Sequence, residues 1–468
     1  MRIRIDSRIR VPARGVPEEA LRAEFEHENP AFPSKSGLEP ERYATWRREG
    51  DELTFPRGGL SRVSRYLEPG FQVDDETTWR HPLPNFPDHR VELRPYQERM
   101  DGAAIATPTC LLRAPTGSGK TTAAIGLLAK LKRRSLVVVW EGGLERQWRE
   151  RLADELGIDE ASVGTIRGGR ERLGDVTVAM QQTLARRFAK GDRELAGAFD
   201  VVVADEVQRF AAPTLVATID PFRARHRVGI SADETRHDRK EFLIYDLFGE
   251  VACEVTTEEL LACGAVVDVE MLVVPTAFRA GWYRYRRDFN RLLKQMTADR
   301  DRNALLLEVA RRAVAQGHQL IVFTHRVEHA RDVDSRLTAL GIKSGTMLGG
   351  EDNKVSYDVA RDSARAGSCR AVVGTYKAIA QGIDLPSVSR GICATPIFNN
   401  RQQVGQVRGR LCRPSGGKGV GKLICLVDVA IYGAKPVRNF LEWGHKVQVL
   451  RGGRWVDGAE WLRDWRST

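Results

Sequence analysis

Apolar positions in this chain fall in short continuous blocks. Ser135-Leu136-Val137-Val138-Val139-Trp140, Val176-Thr177-Val178-Ala179-Met180 and Phe199-Asp200-Val201-Val202-Val203-Ala204 are β-branched runs, the pattern of strands buried on both faces. Leu111 and Leu112 close another strand, and the apolar helical stretch Ala123-Ala124-Ile125-Gly126-Leu127-Leu128 follows. Strand, helix and strand in succession predict a doubly wound parallel sheet of the α/β class. Farther on, Gln319-Leu320-Ile321-Val322-Phe323-Thr324 repeats the strand pattern.

Residues 1–90 are patterned differently. Ile3 and Ile5, then Ile9 and Val11, alternate with arginines and predict a short strand with an outward basic face. Residues 17–28 read as an acidic helix, broken by Asn29-Pro30-Ala31-Phe32-Pro33. Basic and aromatic residues mix through 55–66. A small N-terminal α+β accessory domain follows, whose mixture fits a nucleic-acid contact or an ordinary solvated surface equally well.

Candidate chemistry sits between Leu112 and the apolar helix. Ala114-Pro115-Thr116-Gly117-Ser118-Gly119-Lys120-Thr121 fits G-x-x-x-x-G-K-[ST] except that Ala114 stands for the first glycine. Glycines let successive backbone N–H groups turn inward around an anion, and the helix N-terminus adds the positive end of its dipole. In such a loop Lys120 reaches the β- and γ-phosphates, the Thr121 hydroxyl ligates Mg²⁺, and Pro115 to Gly119 with Thr122 complete the cradle. Upstream, Leu93-Arg94-Pro95-Tyr96-Gln97 brings an amide that both donates and accepts, as reading the adenine edge requires. Gln97 therefore argues for ATP over GTP, and Arg94 stands beside it as a nucleotide-binding candidate. Asp205-Glu206-Val207-Gln208 ends the valine run at the carboxyl edge of the predicted sheet. There Asp205 can hold Mg²⁺ through water while Glu206 polarises the attacking water.

Charge and cysteine content add modestly. The chain has 468 residues, 73 Lys and Arg against 62 Asp and Glu, and a net charge of +11, which suits a polyanionic partner. Seven cysteines without a C-x-x-C pair read as reduced thiols, suggesting no zinc or iron–sulfur site. No run approaches the ~18 apolar residues of a membrane span, and the N-terminus lacks a signal-peptide pattern. The expectation is a cytoplasmic protein without a membrane partner.

These stretches together resemble superfamily 2 helicases and translocases of the DEAD/DEAH-like type. Residues 114–121 resemble motif I, 93–97 the Q-motif region and 205–208 motif II. Gln208 stands where His or Asp is usual, so an amide must make the hydrogen bond from motif II to its neighbours. Arg227-Val228-Gly229-Ile230-Ser231-Ala232-Asp233 resembles motif III, which assigns coupling to Ser231, Ala232 and Asp233, the last replacing a Thr-Pro ending. Trp140 to Leu144 loosely resembles motif Ia, and Gln181 and Thr183 stand as nucleic-acid contacts. Residues 319–329 resemble motif IV, giving Thr324 and His325 the same role. In the motif V resemblance, Gly374 and Thr375 contact a backbone phosphate, while Gly382 and Asp384 lie near the nucleotide. Gln406-Val407-Arg408-Gly409-Arg410-Leu411-Cys412-Arg413 fits Q-x-x-G-R-x-x-R, motif VI, with Gln406 in coupling. Arg410 and Arg413, one helical turn apart, would offer always-protonated guanidinium to the γ-phosphoryl group.

The resemblance covers about residues 91–428 and implies two tandem RecA-like doubly wound domains. The expected organisation is an accessory domain at 1–90, the ATP-binding domain at 91–250 and a connector or insertion at 251–290. A second RecA-like domain at 291–430 and a tail at 431–468 packed on it by tryptophans complete the chain. Within the connector, Gly281 to Arg287 interleaves aromatics with cations and reads either as a strand contact or as a helix start. The implied activity is that of an ATP- and Mg²⁺-dependent DNA helicase or translocase, most like bacterial, phage, XPB- and UvsW-like proteins of repair and recombination and type III restriction-like ATPases. An RNA helicase, a motor subunit without unwinding of its own, and a P-loop kinase or transporter ATPase remain as rivals, with residues 1–90 a candidate surface for a protein partner.

Overall fold

The β-branched runs lie side by side in a computed structural model that describes residues 1–28, 42–210, 212–234, 236, 238–283, 288–380, 385, 387–414 and 419–466. The proline-rich 29–33, Arg284 to Arg287 of the aromatic-cation stretch, and Gly382 and Asp384 of the motif V resemblance lie outside the described residues. Contacts divide the chain into two units: residues 1–115 with 119–256, and residues 257–468 with the loop residues 116–118.

In the first unit eight strands form one sheet, in the order Arg170–Arg172, Gly164–Arg167, Val176–Met180, Ser135–Val139, Val201–Asp205, His226–Ser231, Thr109–Arg113 and Val251–Glu254. All neighbours are parallel except the Gly164–Arg167 and Arg170–Arg172 hairpin. Leu136, Val138, Val202 and Ala204 have no exposed surface, which is why these runs are apolar at every position. Parallel pairing brings the ends at Arg113, Val139, Met180, Asp205 and Ser231 to one edge, where ligands bind in such sheets. Val251–Glu254, read from the sequence as the start of a connector, is instead the outermost strand, paired with Thr109–Arg113.

Residues 1–75 build a second, five-stranded sheet in the order Arg47–Glu49, Glu52–Pro56, Arg8–Pro12, Arg2–Ile5 and Gln72–Asp75, over a core of Ile3, Ile9, Val11, Phe25, Leu53 and Phe55. The single strand expected at the start is an antiparallel pair, and the acidic helix shortens to Glu18–Ala23 before a strand at Glu26–Glu28. Its arginines do not form a bare basic face. Arg4 lies 2.7 Å from Glu52, Arg10 lies 3.0 Å from Asp6 and 2.6 Å from Glu49, and Arg8 is buried 2.6 Å from Asp220. Asp246 accepts from Thr45 and Arg62, and Arg57 donates to the carbonyls of Ala224 and Arg225. Those carbonyls precede the strand His226–Ser231, so Arg57 grips the edge of the large sheet opposite the phosphate loop.

The second unit repeats the plan: Ser344–Met347, Ala371–Thr375, Gln319–Thr324, Val388–Cys393, Gly421–Val427, Val269–Pro275, Val447–Arg451 and Arg454–Asp457. Only the last pair is antiparallel. Val269–Pro275, inside the expected connector, is an interior strand, and the expected tail supplies the last two strands of the sheet, Arg454–Asp457 being the outermost. Trp461 is buried and Trp443 packs on the core, while Trp455 and Trp465 are exposed. No helix among the described residues is long and apolar enough to cross a membrane.

Candidate nucleotide-binding site

The phosphate loop joins the strand Thr109–Arg113 to the helix Lys120–Leu131. Gly117 and Gly119 take φ of +94° and +76°, values that L side chains rarely adopt. A Cβ on Gly119 would also meet Gln97 Nε2 at 2.6 Å. Gln97 is clamped: its Oε1 accepts from the Arg94 N–H at 2.9 Å and its Nε2 donates to Gly119 O at 3.2 Å. Arg94 itself is exposed.

Lys120 is buried, donates to Ala114 O at 2.9 Å and stands 3.7 Å from Glu206 Oε1. Thr121 is half-buried at the mouth of the loop, while Thr122 faces the other way, contacting Glu155 and Arg151 of the helix Gly142–Leu156. Thr122 therefore fastens the helix rather than lining the cradle. Pro115, Thr116 and Gly117 are half-buried and Ser118 is buried.

Asp205 ends its strand 5% exposed and accepts from Trp148 Nε1 at 2.8 Å. Burial, then the neighbouring Glu206, push its carboxyl up to about 6 against the opposing Trp148 hydrogen bond and Lys120 charge. Glu206 has φ of +53°, a left-handed conformation costing a non-glycine residue of order 1 kcal/mol. Such strain turns the acid toward Lys120 instead of along the strand. Gln208 Nε2 donates to Glu206 Oε2 at 2.5 Å, and Ser231 Oγ donates to Gln208 Oε1 at 2.8 Å. Ser231 also accepts from the Asp233 N–H at 3.1 Å, and Arg236 reaches Gln208 O at 3.3 Å. Ala232 is half-buried between them. Lys120, Glu206, Gln208, Ser231 and Asp233 thus form one connected path along the sheet edge. Arg113 adds a brace, 2.6 Å from the buried Glu234.

One carboxylate, one hydroxyl and the phosphates of a nucleotide are the donor set Mg²⁺ usually takes, with waters completing its shell. Asp205 and Thr121 fit that demand. Among the described residues no group of three or more His, Cys, Asp or Glu side chains could hold a metal ion on its own.

The remaining sequence candidates are placed as follows. Gln181 and Thr183 are buried, and Thr183 Oγ1 accepts from the Gly168 N–H at 3.1 Å. Thr324 is wholly buried and hydrogen-bonded to His329 at 2.8 Å, leaving the half-buried His325 as the more accessible of that pair. His325 Nδ1 contacts Thr395 Oγ1 at 2.8 Å, and burial lowers its pKa to about 4. Gly374 is buried where a Cβ would strike the Met347 carbonyl, and Thr375 Oγ1 accepts from the Ala378 N–H at 3.2 Å. Gln406 and Arg410 lie on the helix Arg401–Leu411, and Arg413 falls just beyond its end, so the two arginines do not share one helix. Trp148, Arg113 and Glu234 are the site residues that sequence reasoning missed. An indole in an amphipathic helix carries no signal of its partner, and Glu234 follows motif III too closely to stand out.

A phosphate loop and an acid pair at the carboxyl edge of one parallel sheet, with a second parallel sheet downstream, define a P-loop protein with tandem RecA-like folds. Residues 90–235 match the family described as type III restriction enzyme, res subunit, and residues 301–415 match the helicase conserved C-terminal domain. The chain belongs to superfamily 2 of the helicases, of the DEAD/DEAH-like type. It is 27% identical over 372 residues to the DNA 3'-5' helicase XPB of Kineococcus radiotolerans, a match covering 76% of this chain and 64% of the relative. Over 195 residues it is 29% identical to the DNA 3'-5' translocase XPB2 of Sulfurisphaera tokodaii, covering 42% of this chain and 43% of that one. S. cerevisiae Dbp5, solved bound to RNA and ADP BeF3, shares the fold at 15% identity and a TM-score of 0.55, with 80% of this chain and 92% of that chain covered. Matched segments make up 52%, 56% and 64% of three XPB and Rad25 relatives, so the chain spans between about half and two thirds of their length.

Proposed function

We propose that this chain hydrolyses ATP with Mg²⁺ and uses the energy to move along DNA in the 3'-5' direction. The observation that carries the reading is the connected path from Lys120 through Glu206 and Gln208 to Ser231. It joins a phosphate-binding lysine to a water-polarising acid, and that acid to the strand end of motif III. ATP is favoured over GTP by the position of Gln97 against the loop. Thr121 and Asp205 hold the metal, Glu206 polarises the attacking water, and Arg410 and Arg413 serve the γ-phosphoryl group as their place in motif VI implies. DNA and the 3'-5' direction are supported by the relatives' names. His325 and Thr375, with the first turn of the helix Gln181–Ala189, serve the nucleic-acid strand, so binding is salt-sensitive and sequence-tolerant.

The test is steady-state ATP hydrolysis without nucleic acid and with single-stranded DNA, forked DNA or RNA, with Lys120→Ala as the blank. Strong stimulation by DNA that the variant lacks is the expected result. Stimulation by RNA alone would replace DNA with RNA as substrate, and equal turnover in every tube would overturn the motor reading. Strand displacement on forks with opposite single-stranded tails reads the direction.

A further inference from the structure

We propose that Trp148 is a positioning residue for the metal-binding carboxylate, its indole N–H fixing the direction in which Asp205 meets the Mg²⁺ shell. The inference rests on the nucleotide-binding reading given above.

Trp148 lies on the helix Gly142–Leu156, 1% exposed and among the largest wholly buried side chains. An indole has one polar atom, a donor, and a buried donor needs an acceptor. Here the acceptor is Asp205 Oδ2, at 2.8 Å and 57 residues away in the chain. The terminal torsion of an aspartate is broad, so a carboxylate at a strand end turns easily. Engaging Oδ2, with the Glu206 N–H also bonded to the carboxylate, removes that freedom and sets the direction in which the acid meets the metal shell. Hydrogen bonding behind a ligand is a general device for orienting metal-binding groups. Phenylalanine would fill much of the same space, but it has no N–H to give.

The experiment uses the full chain and a fluorescent N-methylanthraniloyl ATP, whose binding is followed in EDTA and then through a Mg²⁺ titration. For Trp148→Phe, binding in EDTA is expected to stay within about twofold of wild type, while the Mg²⁺ needed for half-maximal enhancement rises about 10- to 100-fold. Asp205→Asn should lose the enhancement likewise, and the double variant should be no worse than Asp205→Asn alone. Trp148→Met, a flexible apolar filler, repeats the test where the Phe variant does not fold. A Trp148 variant that titrates with Mg²⁺ like wild type overturns the inference. So does an equal loss of binding with and without metal, since that marks a packing role only. Wild-type protein that binds no nucleotide under either condition overturns the nucleotide-binding reading itself, an outcome read before any variant is compared.

Discussion

Ser231 donates its hydroxyl proton to Gln208 Oε1 at 2.8 Å, while the other end of the same amide donates to Glu206 Oε2 at 2.5 Å. One neutral side chain therefore accepts from the end of one strand and donates to the acid that follows the next. An amide has both capacities at once, a neutral imidazole can supply both, and an ionised carboxylate cannot. Glutamine where DExH proteins carry histidine is a substitution that keeps the chemistry of the link.

Replacing Gln208 by glutamate tests that link. The new carboxylate could still accept from Ser231, but it would offer Glu206 no proton and would set two like charges against each other. For Gln208→Glu we expect nucleic-acid-stimulated ATP hydrolysis to fall about 10- to 100-fold, the worth of a hydrogen bond to a charged group. Nucleotide affinity should change little, and Gln208→His should retain most of the activity. Steady-state hydrolysis alongside equilibrium nucleotide binding checks this, and a Gln208→Glu variant with normal stimulated turnover would disprove the link.

Gly119 is constrained twice, by its φ of +76° and by Gln97 Nε2, which lies 2.6 Å from where a Cβ would stand. Gln97 cannot easily retreat, because its amide is held by the Arg94 N–H and by Gly119 O itself. Gly119→Ala should weaken ATP binding by about tenfold or more, the left-handed backbone alone costing roughly 1 kcal/mol. Adding Gln97→Ala removes the clash but takes the adenine-reading amide with it and leaves the backbone cost, so ATP binding should not recover. Recovery to wild-type affinity in the double variant would show that the clash alone matters and that Gln97 reads no base.

Arg8 and Asp220 form a buried pair at 2.6 Å, with side chains 4% and 6% exposed. The more exposed Arg47, 3.3 Å from Asp220, is a weaker substitute. Removing one member of such a pair strands a buried charge and costs about 3–5 kcal/mol, whereas removing both can be nearly neutral. Arg8→Met should therefore lower the urea midpoint of the first unit clearly, and Arg8→Met with Asp220→Leu should restore most of it. Additive losses would mean that the pair does not hold the N-terminal sheet in place.

What the sequence disclosed divides along physical lines. Val201 to Ala204 and Ser135 to Val139 were legible as strands because burial on both faces leaves no room for polar positions. The phosphate loop was legible because anion binding demands glycine, lysine and threonine in a fixed order. Val251–Glu254 was not, since a short outermost strand is shaped by the neighbour it pairs with, and Val269–Pro275 was hidden inside a stretch read as a connector. Arg8 shows the same limit at one residue: alternation placed it on an outward basic face, but whether an arginine meets solvent or a buried Asp220 depends on a partner far along the chain. Thr122 and Trp148 are alike in this. Their residue types were visible, but which way each side chain points is decided by the packing of the helix Gly142–Leu156.

His329 makes a pH dependence predictable. Its Nδ1 lies 2.8 Å from Thr324 Oγ1 and its Nε2 lies 3.0 Å from Asn303 Oδ1. Nε2–H donates to the amide oxygen and Nδ1 accepts from the hydroxyl, a pattern that suits the neutral ring. Burial, with the nearby Arg302 charge adding to it, lowers its pKa from 6.5 to about 4. Above about pH 6.5 neither the folded nor the unfolded chain is protonated here, and the stabilisation is complete. Between about 6.5 and 4 the unfolded chain takes up a proton that the folded one refuses, so stability falls as pH falls, by about 3 kcal/mol at most. His226 and His445, also lowered to about 4 by burial, should steepen the same limb. Urea unfolding of wild type and His329→Gln from pH 8 to pH 4.5 tests this. The variant can start less stable, but its stability should decline less on acidification, and two parallel curves would show that His329 contributes nothing to the slope.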